Sequence, residues 1–139
     1  MSLTNILQLA GSAMNAQTVR LNTIASNLAN VDVVAGSAKE AFKAKHPVFK
    51  TVLNEAKNGM PESYGVRVTE IMESSATNSQ IFDPTNRLAN KEGFVYRSNV
   101  NPLEEMADML IASRAYESSV TTASTARELI MRTLDMNTK

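Results

Sequence analysis

The chain has 139 residues, enough for one domain with a modest core, and its 14 basic and 14 acidic side chains cancel. Neutralised phosphates supply most of the affinity of nucleic-acid-binding proteins, so this charge balance argues against such a partner. The lack of cysteine excludes disulfides, thiolate metal sites and cysteine nucleophiles. We expect neither a membrane span nor a cleaved secretion signal, because no long apolar run and no basic leader are found.

The first 31 residues predict a long helix that faces a partner helix. Apolar or small residues recur every seven positions in two interleaved rows, one of Leu7, Met14, Leu21 and Leu28, the other of Leu3, Ala10, Gln17, Ile24 and Val31. Arg20 is the one charged residue of this segment, and we expect it to have an acidic partner. The other polar positions are uncharged, and such residues enter packed interfaces without the desolvation cost of ions. The helix is therefore expected to contact neighbours on more than one side.

Two asparagines, Asn27 and Asn30, mark the predicted end of this helix. Asparagine tolerates the left-handed backbone that terminates helices, which makes Asn30 the candidate for the position just past the cap. Both side chains have two possible roles, capping of the helix end or hydrogen bonding to a neighbouring subunit. We favour capping.

Short β-favouring stretches and most of the glycine and proline follow. Residues 42–52 and 64–72 predict a hairpin with a turn at residues 58–61, and residues 80–82 and 93–96 predict two more short strands. We divide the chain into an N-terminal helix (1–34), a β-rich insert (35–100) and a C-terminal helix (101–139). The predicted fold class is α+β, with long N- and C-terminal helices packed as a coiled-coil-like pair that brackets a small β-hairpin insert.

The last segment has the clearest helix signals. Asn101, Pro102 and Glu104 supply a cap, a first-turn proline and a first-turn acid. A row with alternating spacings of three and four is predicted to face the first helix, and it contains Met106, Met109, Ser113, Tyr116, Val120, Ala123, Arg127, Ile130 and Leu134. The pairs Glu128–Arg132 and Asp135–Lys139 are expected to add a few tenths of a kcal/mol each.

Two interpretations of the helix pair remain open. In one, the two ends form the core of a monomer. In the other they gain order from neighbouring subunits, since Gly11 and Gln17 make the first helix weak alone and the small residues 10–13 allow close approach. The second interpretation expects both ends of the isolated chain to be partly disordered.

Residues 10–17 (AGSAMNAQ), 20–22 (RLN) and 25–31 (ASNLANV) closely resemble the N-terminal signature of bacterial flagellar rod and hook axial proteins. In the second half, residues 84–89 (PTNRLA), 93–95 (GFV), 99–101 (NVN), 105–109 (EMADM) and 112–117 (ASRAYE) are similar to the proximal rod proteins of that family. Ser118 and Ser119 depart from the Ala-Asn that the family tends to place there. Residues 35–62 match nothing diagnostic.

The resemblance implies a structural subunit that leaves the cell through the flagellar type III export apparatus without a cleavable signal. It implies polymerisation with copies of itself and other rod proteins into a helical rod that crosses the periplasm and carries torque from motor to hook. The terminal helices would form the inner tube and the insert would face outward. The expected subunit-interface residues are Leu3, Leu7, Met14, Arg20, Leu21, Ile24, Asn27, Leu28, Asn30, Met106, Met109, Arg114, Tyr116, Val120, Ile130 and Leu134.

Little in the sequence predicts chemistry. His46 is the only histidine and has no carboxylate or serine arranged with it as a triad, and the five glycines are too scattered for a phosphate loop. Glu70 and Glu73 read as solvent-facing acids of a strand. We expect no enzyme activity, no cofactor and no metal. The competing classes are a secreted helical binding module and an enzyme whose site the sequence conceals.

Overall fold

The computed structural model describes residues 3–55 and 61–137, and it shows two long helices separated by two antiparallel sheets. The elements are α1 (Leu3–Ala29), β1 (Val34–Ala35), β2 (Lys45–Glu55), β3 (Pro61–Glu73), β4 (Gln80–Phe82), β5 (Phe94–Arg97) and α2 (Pro102–Asn137). This architecture confirms the predicted α+β fold. Residues 58–60 of the turn predicted at 58–61 lie outside the described residues, as does Lys139, the predicted partner of Asp135. Pro61, the last residue of that turn, is the first residue of β3.

The start of α2 follows the predicted cap. Asn101 accepts a hydrogen bond from the Leu103 amide on its side-chain oxygen (3.2 Å), and its carbonyl accepts the Glu105 amide (3.0 Å). Pro102 occupies the first helical position, where its missing N–H leaves no bond unmade. The C-cap prediction for α1 is half wrong. Asn30 does follow the last helical residue, but no non-glycine residue among those described has a positive φ, so its backbone is not left-handed.

The two helices pack antiparallel. Near the end of α1, Asn27 bonds to Glu105 at the start of α2, and residues near the start of α1 line a cavity with residues 118–122. At about 1.5 Å per residue, α1 is about 40 Å long and α2 about 54 Å. The C-terminal turns of α2 therefore reach beyond the described start of α1.

The β2–β3 hairpin lies against α1. The Val66 amide donates to the Ser12 hydroxyl (3.1 Å), which in turn donates to the Leu9 carbonyl (2.8 Å), so one serine ties the outer edge of β3 to the helix. A bulge in β3 leaves Thr69 without a partner residue on β2, and its hydroxyl donates to the Val48 carbonyl (3.2 Å). The hairpin confirms the prediction, although β2 begins at Lys45 and not at residue 42.

The second sheet has the strand order β1-β5-β4, in which β4 and β5 are the predicted short strands. β1 was not predicted, because two residues are too few to show an alternating pattern. Gly93 turns the chain into β5 with φ of +83°, and a side chain there would meet the Phe82 ring at 2.9 Å. The Phe82 and Phe94 rings meet edge to face with centroids 5.3 Å apart.

The interior of the described chain is built mainly from the smallest apolar side chain. Nine hydrophobic residues are buried, and six of them are alanine: Ala10, Ala16, Ala41, Ala44, Ala112 and Ala126. Only Ile24, Val95 and Val100 are larger. About half of the large apolar side chains with a described position are exposed, which is far more than expected for a monomer that is stabilised by its own core.

Candidate functional site

One of the two predicted rows of α1 lies on the face that meets α2, and the other does not. Arg20 and Asn27 bond directly to α2, and Ile6, Ala10 and Ala13 line a small cavity together with Ser118, Ser119 and Thr122. The row of Ala10, Gln17 and Ile24 therefore lies on the expected face. The second row is formed by Ile6, Ala13, Arg20 and Asn27, each one residue before the predicted Leu7, Met14, Leu21 and Leu28.

The displaced residues of α1 lie beside this seam. Leu7 is exposed, and Met14, Leu21 and Leu28 are half-buried, as is Leu3. We expected these side chains to bury against the C-terminal stripe or against a neighbouring subunit. Leu7 does not bury against α2, and its burial against a neighbour stays a prediction. Their large apolar surfaces remain partly accessible.

The seam of α2 is displaced in the same way. Glu105 and Asp108 bond to α1, Ala112 is fully buried, and Ala126 is nearly so. These positions continue the same three-four spacing, but each lies one residue before the predicted Met106, Met109, Ser113 and Arg127. The prediction is wrong because it assigned the largest apolar side chains to the seam, and the helices instead approach each other through alanine and hydrogen-bonding residues.

Large apolar side chains are exposed on α2, both beside the displaced seam and on the C-terminal turns that reach beyond the described start of α1. Met106 is 59% exposed and Leu134 is 56% exposed. Tyr116, Val120 and Arg114 are also exposed, whereas Met109 and Ile130 are half-buried. We define the outer band as the exposed apolar residues of α2, namely Leu103, Met106, Leu110, Ile111, Tyr116, Val120, Leu129, Met131, Leu134 and Met136. Exposed apolar surface on this scale is typical of a protein–protein interface.

Asn27 joins three elements and has no accessible surface. Its amide nitrogen donates to the Glu105 carboxylate (2.8 Å) and to the Lys45 carbonyl (2.8 Å), and its oxygen accepts the Lys45 amide (2.9 Å). One side chain therefore pairs with the backbone of β2 as a strand would, while also holding α2. The favoured helix-cap role is wrong for Asn27. We call Asn27, Lys45 and Glu105 the junction.

Asn30 takes the capping role that Asn27 does not. Its amide nitrogen donates to the Ser26 carbonyl (2.8 Å), one of the carbonyls that the end of α1 leaves without a helical partner. The cap prediction is therefore confirmed for Asn30 through its side chain, although not through its backbone.

Arg20 has the acidic partner that its isolation predicted. Its guanidinium donates to Asp108 on α2 at 2.9 Å, with both side chains about one-third exposed. Ile24, Lys45, His46, Pro47 and Phe49 line a cavity beside this pair, of about 300 Å³. Surface exposure limits the pair to about 1 kcal/mol or less.

Burial dominates the electrostatics of the junction. It raises the pKa of the Glu105 carboxyl above its ordinary value, and the hydrogen bond from Asn27 and the charge of His46 act in the opposite direction. Asp108 and Glu104 raise the pKa of Glu105 further by like-charge repulsion.

Two asparagines that the sequence did not single out organise the insert. Asn78 donates to the carbonyls of Phe42 (2.9 Å) and Arg97 (2.7 Å). Asn99 accepts the Ala44 amide (2.6 Å) and donates to the Ala76 carbonyl (2.8 Å). Both clamp loops together across the chain. The only sequence signal was an asparagine among β-favouring residues, which is too common to predict this contact.

The structure adds no metal or membrane feature. Across residues 3–55 and 61–137, no three histidine, aspartate or glutamate side chains are grouped as metal ligands. In the same ranges, neither helix has a stretch apolar enough to cross a bilayer.

Comparison with known proteins identifies the family of this helix pair. The profile of the family described as "Flagella basal body rod protein" matches residues 7–36, and that described as "Flagellar basal body rod FlgEFG protein C-terminal" matches residues 91–136. The curated flagellar basal-body rod protein FlgC of Buchnera aphidicola from Acyrthosiphon pisum is 40% identical over 99% of both chains. The chain belongs to the FlgC family of flagellar basal-body rod proteins.

Other FlgC proteins extend the similarity across distant bacteria. The FlgC of Escherichia coli O157:H7 is 38% identical over 98% of each chain, and that of Bacillus subtilis is 32% identical over 94% of this chain and 95% of its own. One profile match covers most of α1 together with β1, and the other covers β5 together with nearly all of α2. The matched segments thus include the two helices that form the seam and carry the outer band.

Proposed function

We propose that this chain is a structural subunit of the flagellar rod that polymerises through α1 and α2 into the drive shaft crossing the periplasm. Its partners in this proposal are other rod proteins, copies of itself in a helical array and the flagellar type III export apparatus. Its role is mechanical, and we assign it no catalysis. Interlocked helices of successive subunits carry torque from the motor to the hook.

The accessible surface carries this proposal. The folded chain exposes 9925 Å². A compact monomer of 15.1 kDa exposes about 7,100 Å², so this chain has an excess of about 2,800 Å². A standard interface uses about 800 Å² of each partner, and the excess is therefore enough for contacts with several neighbours. A subunit inside a helical lattice needs contacts on several sides, whereas a dimer needs one.

The kind of surface points in the same direction. The outer band of α2 and the partly exposed Leu7, Met14, Leu21 and Leu28 of α1 flank a seam of small residues. Burying a large apolar side chain contributes about 1.5–3 kcal/mol, and most of this free energy is not used inside the subunit. Contacts between subunits would use it.

Deletion of the gene followed by purification of basal bodies tests the proposal. We expect basal bodies with rings and no completed rod, and we expect a plasmid copy of the wild-type gene to restore rods and swimming. Intact flagella in the deletion strain would contradict the proposal. If the purified chain stays a discrete monomer or dimer at all concentrations and never enters rods, it is a binding module instead.

A further inference from the structure

We propose that the junction of Asn27, Lys45 and Glu105 is a proton-controlled latch between the β2–β3 hairpin and the helix pair. With Glu105 protonated, the latch is tight and the hairpin is held against α1 and α2. With Glu105 ionised, the latch is weakened and the start of β2 opens more often. The proposal concerns the free subunit and does not depend on its place in a rod.

The hydrogen bonds leave the Asn27 amide one orientation. The Lys45 N–H must meet an acceptor, so the Asn27 oxygen points at it (2.9 Å) and the amide nitrogen points at the Lys45 carbonyl and the Glu105 carboxyl. Both donors and the acceptor of this amide are thereby engaged. The same amide therefore holds both the Glu105 carboxyl and the start of β2, so the two contacts are coupled through one side chain.

Glu105 is buried in surroundings that disfavour its negative charge. The residue is 4% exposed, and the Asn27 amide donates to its carboxyl. Two further acids of α2, Glu104 and Asp108, lie near it. Removing a carboxylate from water costs several kcal/mol unless compensating groups surround it.

The positive groups around the junction are largely engaged elsewhere. Arg20 on α1 donates to Asp108, and the Lys45 ammonium on β2 lies over the Phe42 ring at 5.8 Å from its centre. His46 on β2 is the remaining cationic side chain that acts on Glu105. Burial and the two nearby acids therefore outweigh the Asn27 N–H and His46, which favour the ionised form, so the folded junction holds Glu105 ionised only at a cost in free energy.

The direction of the pH effect follows from the raised pKa of Glu105. A group whose folded pKa exceeds its unfolded value contributes stability that is fully present below the unfolded pKa. That stability is lost as the pH rises through the folded pKa. Acid therefore tightens the latch and neutral pH loosens it.

Amide hydrogen exchange of the full-length chain tests the latch, because the Lys45 N–H is one of its bonds. The Lys45 protection factor, corrected for intrinsic exchange, is measured at about pH 5 and about pH 7.5 for the wild type and Glu105→Gln. We expect it to be lower at the higher pH in the wild type, because the pKa of Glu105 is raised in the folded chain. The side chain in Glu105→Gln still accepts a hydrogen bond but carries no charge. The Lys45 protection factor of this variant is therefore expected to stay high at both pH values.

Two control variants and one amide elsewhere in the chain test whether the pH dependence arises at the junction. Glu104→Gln removes an exposed acid one residue away and is expected to keep a pH dependence of the Lys45 amide, with a midpoint lower than in the wild type because one like charge near Glu105 is gone. The Gly93 amide, which donates to the Asn90 carbonyl in the turn before β5, is expected to show no such dependence. His46→Gln is expected to raise the midpoint of the transition, because it removes a positive charge near the carboxyl.

Three results would overturn the latch: an unchanged pH dependence in Glu105→Gln, a pH-independent Lys45 amide in the wild type, or loss of the dependence only in His46→Gln. Circular dichroism establishes whether Glu105→Gln folds. A carbon-13 titration of the wild-type Glu105 carboxyl needs no variant, and a midpoint at or below that of Glu104 would equally contradict the proposal.

Discussion

Arg20 on α1 and Asp108 on α2 form an ion pair at 2.9 Å that crosses the helix seam. Arg20 is the one charge among the first 31 residues, and Asp108 lies in the second turn of α2. Together with the Asn27–Glu105 bond, the pair fixes the register of the two helices, because a shift by one turn would separate both pairs at once. The ion pair contributes more to the register of the two helices than to the free energy of unfolding.

Reversing one charge of this pair should therefore impair assembly. Arg20→Glu places two carboxylates against each other, and we expect a loss of about 1–2 kcal/mol in the free energy of unfolding with reduced swimming. Arg67→Glu, on the exposed side of β3, is the matched control and should swim normally. The double variant Arg20→Glu/Asp108→Arg should recover part of the loss. Equal, normal motility of both single variants would contradict the prediction.

Removing the Asn27 side chain should be far more damaging than removing that of Asn30. Asn27→Ala leaves the Lys45 amide and carbonyl and the Glu105 carboxyl without their partner. Since each buried unpaired group costs about 1–3 kcal/mol, we expect a loss of at least about 3 kcal/mol. Asn30→Ala removes one exposed bond to Ser26 and should cost about 0.5 kcal/mol. Urea unfolding of both variants measures the difference, and similar midpoints would contradict it.

The sequence predicted the elements of this fold but not the packing of its helices. Asn101 and Pro102 indicated the start of α2. The hairpin and the two short strands were indicated by β-favouring residues and a partial alternation of apolar and polar positions. The seam was misplaced by one residue because a seven-residue pattern was assumed to bury its largest side chains. Met106 and Val120 follow that rhythm on the outer side, while Ala112 and Asn27 make the intramolecular contact. Periodicity alone cannot tell which of two neighbouring faces meets the partner helix and which meets another subunit.

Introducing a charge into the outer band should impair assembly without impairing folding. Val120→Glu changes an exposed residue, so the free energy of unfolding of the purified chain should change by no more than about 0.5 kcal/mol. The same variant should abolish rod completion and swimming. Lys91→Gln, an exposed charge change in the insert, serves as the control that should affect neither. Normal swimming by the Val120→Glu strain would show that this part of the band makes no essential contact.

Gln17 is the one seam residue whose substitution should stabilise the free chain. Its side-chain oxygen is buried and accepts no hydrogen bond within the described residues. Gln17→Met keeps the shape and removes the unpaired acceptor, so we expect a gain of about 1 kcal/mol in the free energy of unfolding. Gln8→Met, on the exposed face of α1, should change stability by less than about 0.5 kcal/mol. Destabilisation by Gln17→Met would indicate that the amide has a favourable partner.

The alanine-filled interior has a consequence for the life of the molecule before it reaches its destination. A chain with many exposed large apolar side chains associates with other apolar surfaces, including those of proteins that are not its partners. Free copies at high concentration would therefore aggregate through this surface. A low concentration of free chain, or a partner bound over α2, would prevent such aggregation.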